Sequence, residues 1–448
     1  MYEGLITLKI TLISSKNDIA GRNIHRHIHE YLENGIPGAG ANFRSGNHSY
    51  SHIEVDGRLI FQDRIDEGSD ADLMIFLSRH ASVNPVPLLT VHCTGNPGRA
   101  ELGGTERSVA TAAPEWMQAV LINLQKLAPP GFGACYEVTH HGPTDLHIPS
   151  FFVEIGSTEY EWRNEEAAAA VAIAVLTARP GPAIPMISFG GNHYARRQTD
   201  IAVKTQAAFG HIVHSREVPV IDGEMIRLLA GKSRAVAVHI DRKALQRADT
   251  ARIEQLIQEG GMIHLGEHDL TGIGRVPWNQ YVTVRSMVQS AAPTAVINFH
   301  GLNSIKDPVW AELDLELFTA ALNANTAEFL EKLKKIPCIH LSTPKTPVLA
   351  IFITDHNQKA QLLHDLISLC VSTIVINEDT AVEGDYLFIR KKKMDPRKAL
   401  ELGVPTGPLL GLLMQGKTVD AGGRTVHPGM VQICSERRIH VPGLESYL

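Results

Sequence analysis

The 448-residue chain has only five cysteines, Cys93, Cys135, Cys338, Cys370 and Cys434, odd in number and without a CxxC pair. That pattern argues against a disulfide framework and for a reducing compartment, so a cytoplasmic location is expected. Positive charge is not in excess: 42 Lys and Arg stand against 48 Asp and Glu, a net −6. Nucleic-acid binding by bulk charge is thereby excluded, although a local basic patch is not. No basic stretch precedes the first apolar run, Leu5 to Ile13, and Thr7, Lys9 and Thr11 interrupt it. Neither a secretion signal nor a membrane span is expected from it. There is no internal repeat, and no G-x-S-x-G elbow surrounds Ser157.

What the chain has in plenty is histidine. Its 22 histidines are roughly twice the share expected of an average chain. Histidine is the commonest metal ligand and general base, so their positions are worth tracing. The rest is globular in composition, 44% hydrophobic and 20% charged. The length calls for two or three domains.

The first segment reads β-α-β. Leu5 to Ile13 alternates like a strand. A helix is predicted over Asp18 to Glu33, with Ile19, Ile24, Ile28 and Tyr31 near one face. His25, His27 and His29 scatter around that helix and read as solvated. A polar loop follows, Gly35 to Ser51, and Asp56-Gly57 within His52 to Phe61 predicts a hairpin. Five apolar runs then end in polar residues. Asp72 to Leu77 ends in Ser78-Arg79-His80, Pro87 to Val91 in His92, and Ala134 to Val138 in His140-His141. Phe151 to Ile155 ends in Gly156-Ser157, and Ala183 to Phe189 in Gly190-Gly191-Asn192-His193. Helices are predicted between them, at about Thr105 to Leu127, Glu165 to Ala178 and Thr199 to Phe209. A further βαβ-like unit covers Ala235 to Ile240, Thr250 to Glu259 and Met262 to Leu265. Such alternation indicates an α/β sheet covered on both faces, with ligands beyond the carboxyl ends of its strands. A loop through Pro277-Trp278 leads to a second, smaller α+β domain. Its apolar runs are Ala295 to Phe299, Val348 to Ile353, Thr373 to Ile376 and Tyr386 to Ile389, with a helix over His356 to Cys370. The expected domains are 1–274 and 275–448.

Several of these strand ends carry residue types suited to chemistry. Glu137 with His140 and His141 suits a zinc ligand set or a general acid/base pair. On a fully extended chain Glu137, Thr139 and His141 would share a face and His140 would oppose them, unless the strand stops at Gly142-Pro143. Glu154 lies inside an apolar strand, where a carboxylate must be protonated, paired or metal-bound. Glu159 and Glu161 fit the first turn of a helix. His92 and His193 each stand beside glycines, and the backbone N–H groups of Gly95, Gly190 and Gly191 are candidates for holding an oxyanion or phosphate. Cys93 and Cys135 read as inert thiols. Arg196-Arg197 and the run Arg390 to Lys393, with Arg397 and Lys398, either meet phosphates or face water.

Taken in order, these motifs resemble the archaeal and plant-type D-aminoacyl-tRNA deacylases, the zinc-associated class. The resemblance covers about residues 5 to 265. It rests on Ala81-Ser82 after Ser78-Arg79-His80, His92 to Gly98, Gly103-Gly104, Cys135 to Thr144, Pro149 to Ser157, Glu159 to Trp162, His193 to Ala195, Gln198-Thr199 and Phe209 to Ile212. Two departures stand out: Asn192 occupies the place of a third glycine, and Arg196 that of a proline. The resemblance implies a three-layer α/β/α sandwich around a mixed sheet, like peptidyl-tRNA hydrolase and the nucleoside phosphorylases. It also implies zinc, and hydrolysis of the ester between a D-amino acid and tRNA. A second, shorter segment, Gly403 to Val419, is similar to a glycine/proline segment of ribonuclease Z proteins, whose metal-binding histidine motif is absent here.

The expected site follows. Glu137, His141, Glu154 and His193 are the catalytic candidates, and His92, His140, His141 and Glu137 the metal ligands. Arg196, Arg197, Lys391 and Lys392 are the candidate tRNA contacts. The expected partner is D-aminoacyl-tRNA, with no membrane, as monomer or homodimer. Two rivals are another metal-dependent hydrolase or phosphorylase of small substrates and a non-catalytic tRNA-binding protein. Carboxylates at 137 and 154 inside apolar strands speak against pure binding, because burying them is costly.

Overall fold

A computed structural model describes residues 7–36 and 48–448. Residues 5 and 6 of the first expected strand, and residues 37–47 of the expected polar loop, lie outside the described residues. The chain divides into two compact units, Met1–Trp278 and Asn279–Leu448.

The first unit runs β1 (Lys9–Ser15), α1 (Ile19–Asn34), β2 (Ser49–Val55), β3 (Leu73–Arg79), β4 (Leu88–His92), β5 (Gly95–Asn96) and β6 (Ser108–Val109). It continues through α2 (Pro114–Leu127), β7 (Gly133–Tyr136), β8 (Ser150–Gly156), α3 (Glu159–Trp162), α4 (Glu165–Leu176), β9 (Ile184–Phe189) and α5 (Arg196–Lys204). It closes with β10 (Ala207–Val213), α6 (Gly223–Lys232), β11 (Ala237–Ile240), α7 (Arg247–Glu259), β12 (Ile263–His264) and α8 (Glu267–Ile273). Six strands form a mixed sheet in the order β2-β1-β3-β8-β4-β7, and four form a second sheet, β10-β9-β11-β12. Every residue of β8 and β10 is buried, as strands covered on both faces must be.

Strand direction positions the site. β3 and β8 run parallel, whereas β4 runs antiparallel to β8 with β7 parallel to β4. Glu154 therefore faces Ser78 across one edge of β8 and Thr90 across the other. His80 follows β3 and donates its N–H to the Ile155 carbonyl, while His92, closing β4, pairs with Phe152. The two histidines reach Glu154 from opposite ends of β8. The site thus lies where opposed strands meet, not beyond one row of carboxyl ends.

Local chemistry explains the helices. Asp18 caps α1, accepting from the Gly21 N–H, and Ile24, Ile28 and Tyr31 bury its inner face. His29 is exposed, but His25 stacks on His52 with centroids 3.4 Å apart and His27 lies 2.9 Å from Glu165, so two of the three histidines are not simply solvated. No hairpin forms at Asp56-Gly57: β2 ends at Val55 after pairing parallel with β1. The helix expected from Thr105 starts only at Pro114, whose fixed φ suits a first helical turn; the preceding residues form β6 and its loop. The helix expected to reach Phe209 stops at Lys204, because Ala207–Val213 is the buried parallel strand β10.

The second unit holds α9 (Trp278–Ala291), β13 (Val296–His300), β14 (Pro308–Glu312), α10 (Leu315–Leu333), β15 (Cys338–Ser342), β16 (Ile351–Asp355) and α11 (Lys359–Asn377). After these come β17 (Asp379–Glu383), β18 (Tyr386–Met394), α12 (Pro396–Glu401), α13 (Pro408–Met414), β19 (Val419–Ala421), β20 (Arg424–Val426) and β21 (Gln432–His440). Trp278 opens a helix instead of closing a loop, and Thr373 to Ile376 is the last turn of α11, not a separate element. With its preceding turn α11 is long and apolar enough to cross a membrane by length and composition. Its Leu362, Leu366, Cys370 and Ile374 pack with Phe318 and Phe329 of α10 in one core, which is how a core helix behaves.

Candidate active site

β7 stops at Tyr136, so the next residues leave the sheet before the alternation of an extended chain could separate them. His141 adopts φ 47°, and the His140 and His141 ring centroids lie 4.4 Å apart. Both imidazoles therefore enter one pocket. His92 stacks on His140 at 4.5 Å and meets His141 edge-on at 4.9 Å. His193, after β9, lies 4.8 Å from His140. Glu154 from β8 and Glu137 after β7 complete the set. His92, Glu137 and Glu154 are at most 3% exposed.

His80 belongs to the same cluster and was not among the expected site residues. Its Nδ1 lies 3.1 Å from Glu137 Oε1 and 3.5 Å from Glu154 Oε2, and its Nε2 hydrogen-bonds the Tyr194 hydroxyl at 3.0 Å. Trp162 donates its indole N–H to the His80 carbonyl at 2.9 Å. Ser78-Arg79-His80 closing an apolar run was the available signal, the same one that marked His92 and His193.

The electrostatics are those of two acids among five imidazoles. Burial alone would raise both carboxyl groups. Contact with His193 and the charges of His80 and His92 instead hold Glu137 well below the usual carboxylate range. The imidazoles of His80 and His92, 3.5 and 3.8 Å from its Oε2, likewise lower Glu154. Burial opposes protonation of His80, but the nearby carboxylates of Glu154 and Glu137 outweigh it and push the imidazole up to about 9. Glu154 raises His92 against burial in the same way. Burial and the neighbouring His92 drive His141 down to about 3, and burial with His141 holds His140 well below the usual imidazole range.

Three features suit a cation. Nδ1 of His140 contacts the Val138 carbonyl at 2.8 Å and Nδ1 of His141 the Gly142 carbonyl at 2.7 Å. Nδ1 must donate there, which leaves the lone pair on Nε2. His92 Nε2 and both oxygens of Glu137 are buried without an aligned hydrogen-bond partner. The ligand atoms of His92, His140 and His141 lie within 4.8 Å of one another, as do those of His92, Glu137 and Glu154 and those of His80, Glu137 and His193.

Two cavities meet here. One, of about 330 Å³, is lined by Asp18, Arg79, His80, Glu154 and Trp162. The other, of about 490 Å³, is lined by Asn96, Arg99, His214, Arg216 and Glu217. Leu102, His140, His141 and His193 line both.

The glycines have other duties. The Gly95 N–H donates to the His141 carbonyl at 2.9 Å, Gly190 N–H to Val213 O at 2.9 Å, and Gly191 N–H to Ser215 Oγ at 2.9 Å. All three expected oxyanion donors are thus occupied. A side chain at Gly95 would meet Val109 at 2.5 Å, and Gly190 and Gly191 take φ of 97° and 130°, which explains the residue choice without an anion. Glu161 caps α3 by accepting from the Thr158 N–H at 2.8 Å. Burial raises the thiols of Cys93 and Cys135, as inert cysteines require. Arg197 pairs with Glu267 at 2.9 Å, Arg196 is exposed, and Lys391 and Lys392 lie on β18 of the second unit.

Known proteins resemble this chain along most of its length. Residues 67–264 match the family model described as D-aminoacyl-tRNA deacylase. A protein of that name from Methanosphaerula palustris is 45% identical over 440 residues, covering 98% of this chain and 100% of the relative. One from Methanoregula boonei is 44% identical, again covering 98% and 100%. A shorter one from Methanosarcina acetivorans is 35% identical over 283 residues, covering 60% of this chain and 95% of itself. The crystal structure of a conserved protein of unknown function superposes with a TM-score of 0.53 at 31% identity, covering 59% of this chain and 97% of that one. The chain belongs to the D-aminoacyl-tRNA deacylase family.

Proposed function

We propose that the imidazole–carboxylate pocket holds a zinc ion and hydrolyses the ester joining a D-amino acid to the terminal adenosine of tRNA, freeing both. His92, His140, His141 and Glu137 are the ligand set. The observation that carries this reading is the buried, unpartnered Nε2 of His92 beside two imidazoles whose tautomers leave Nε2 free. Unsatisfied buried polar atoms are expensive, and a cation among them removes that cost. Carbonyl-anchored Nδ1–H groups are the usual outer support of metal-bound histidines. Zinc supplies Lewis-acid polarisation of a carbonyl and nucleophilic water at neutral pH.

The remaining steps fall to the chain's own groups. Glu154 lines the 330 Å³ cavity and Glu137 does not, so Glu154 is the base that takes a proton from the attacking water. His80 keeps Glu154 ionised and oriented. His193, which lines both cavities and whose Nε2 lies 3.1 Å from Glu137 Oε2, is placed to carry a proton to the departing ribose oxygen. The cavity bearing Arg99 and Arg216 suits the nucleotide end, and the smaller one the aminoacyl group. We also assign the first unit to a three-layer α/β/α sandwich of the peptidyl-tRNA hydrolase and phosphorylase kind, and the protein to the cytoplasm, where five free thiols persist.

Matched D- and L-aminoacyl-tRNA, each with and without a chelator, test the reading. The D-ester is expected to be cleaved in preference to the L-ester, with turnover falling at least ~100-fold on chelation and returning with added zinc. An undiminished D-ester rate in metal-free protein would refute the metal assignment.

A further inference from the structure

We propose that the β18–β21 ribbon and the small lobe it carries form a docking surface for the phosphate backbone of the tRNA substrate. Charge is unevenly spread along the chain. Residues 386–440 contain ten lysines and arginines against four aspartates and glutamates, a net +6 within a chain of net −6. The rest of the chain therefore repels a polyanion, and this segment is where attraction concentrates.

Geometry then separates this segment from an ordinary charged surface. β17 pairs with β18 only as far as Arg390. Beyond it β18 and β21 continue as a two-stranded ribbon, pairing Lys391 with Ser435, Lys392 with Cys434 and Lys393 with Ile433. Residues 390–393 and 433–438 are all exposed, so the ribbon presents side chains on both faces. Consecutive lysines in a strand alternate faces, which puts Lys391 and Lys393 on one side and Arg390 and Lys392 on the other. Some of this charge is already used: Arg390 pairs with Glu436 at 2.8 Å, Lys391 with Glu378 at 2.6 Å and Arg437 with Glu316 at 2.9 Å. Among the described residues Lys392, Lys393, Arg397 and Lys398 have no ion pair, and they cluster where the ribbon enters the lobe. The lobe has its own small core of Ala399, Val404, Leu413, Val419, Val426 and Val431, so it holds these cations on a folded support. A bare two-stranded ribbon is marginal in isolation and leaves strand edges open. A polyanion laid on it would screen both the edges and the mutual repulsion of the lysines.

The proposal rests on tRNA being the substrate, as argued above. It predicts a role in affinity and not in ester chemistry, since the shorter Methanosarcina acetivorans relative, matching 60% of this chain, carries the same name. The test uses the full chain with Lys392→Glu/Lys393→Glu/Arg397→Glu/Lys398→Glu and, as a milder variant, Lys392→Gln/Lys393→Gln. Binding of uncharged tRNA is measured across a salt series, with KM and kcat for D-aminoacyl-tRNA. The reversal variant is expected to raise KM and Kd at least ~10-fold at low salt while kcat at saturation is unchanged. Its log Kd against log salt slope should flatten by about 0.7–0.9 for each phosphate that is no longer neutralised, and the Gln variant by about half as much. Wild-type Kd and slope in both folded variants would overturn the surface, as would a fall in kcat with KM unchanged. A wild-type protein that binds tRNA but does not hydrolyse the D-ester would instead count against the proposed function and leave the binding result readable.

Discussion

The Glu154 carboxylate, in the middle of a wholly buried strand, sits 3.5 Å from Nδ1 of His80 at the end of the neighbouring strand. Removing Glu154's charge while keeping its shape tests its role directly. Glu154→Gln is expected to fold, because an amide fits the same space, and to lower kcat for D-aminoacyl-tRNA by roughly 100-fold or more. Single-turnover kinetics with a thermal melt as control decide it. A near-wild-type rate would reassign the base.

His80 has no room to move. A Cβ at Gly156 would lie 2.7 Å from its Cδ2 and 2.8 Å from its Cβ. Gly156→Ala should therefore displace the imidazole that bridges the two carboxylates. The expected result is a destabilisation of about 1–3 kcal/mol, typical of overpacking, with a fall in kcat larger than any change in KM. Chemical denaturation and steady-state kinetics read the two effects separately.

The histidine-rich core also predicts acid sensitivity. His211, fully buried between Thr139 and the Ala110 carbonyl, is lowered by burial from 6.5 to about 4. The unfolded chain then binds a proton more readily than the folded one between these values. The contribution is present above 6.5 and is lost as pH falls toward 4. For this group the loss is on the order of 3 kcal/mol. Urea unfolding at pH 7 and pH 4.5 should show wild-type stability dropping, with a shallower drop in His211→Gln.

How far the sequence foretold this site depends on the distance over which each feature is set. Short apolar runs ending in polar residues identified β3, β4, β7, β8 and β9, because a buried strand and its polar end are local. The convergence of His92, Glu137, His140, His141, Glu154 and His193 was reached through motif resemblance. What creates it is β8 inserted between β3 and β4 in opposed directions, a non-local pairing. His80 stands out in the sequence only as the end of an apolar run, and its place between Glu137 and Glu154 is set by the non-local pairing of β3 with β8. Only Ala207 to Phe209 of β10 falls in the expected helix, and the strand's register with β9 decides otherwise. Glycines near a strand end suggested anion donors, whereas packing against Val109 and positive φ account for them.

The most direct test joins metal content to turnover in the same preparations. Zinc per chain and the D-aminoacyl-tRNA rate are measured for wild type, His141→Ala and Glu137→Ala. The account predicts bound zinc in the wild type, and its loss together with a rate drop of at least ~100-fold in the variants. Full deacylase rates in both variants, with the core still folded, would contradict it.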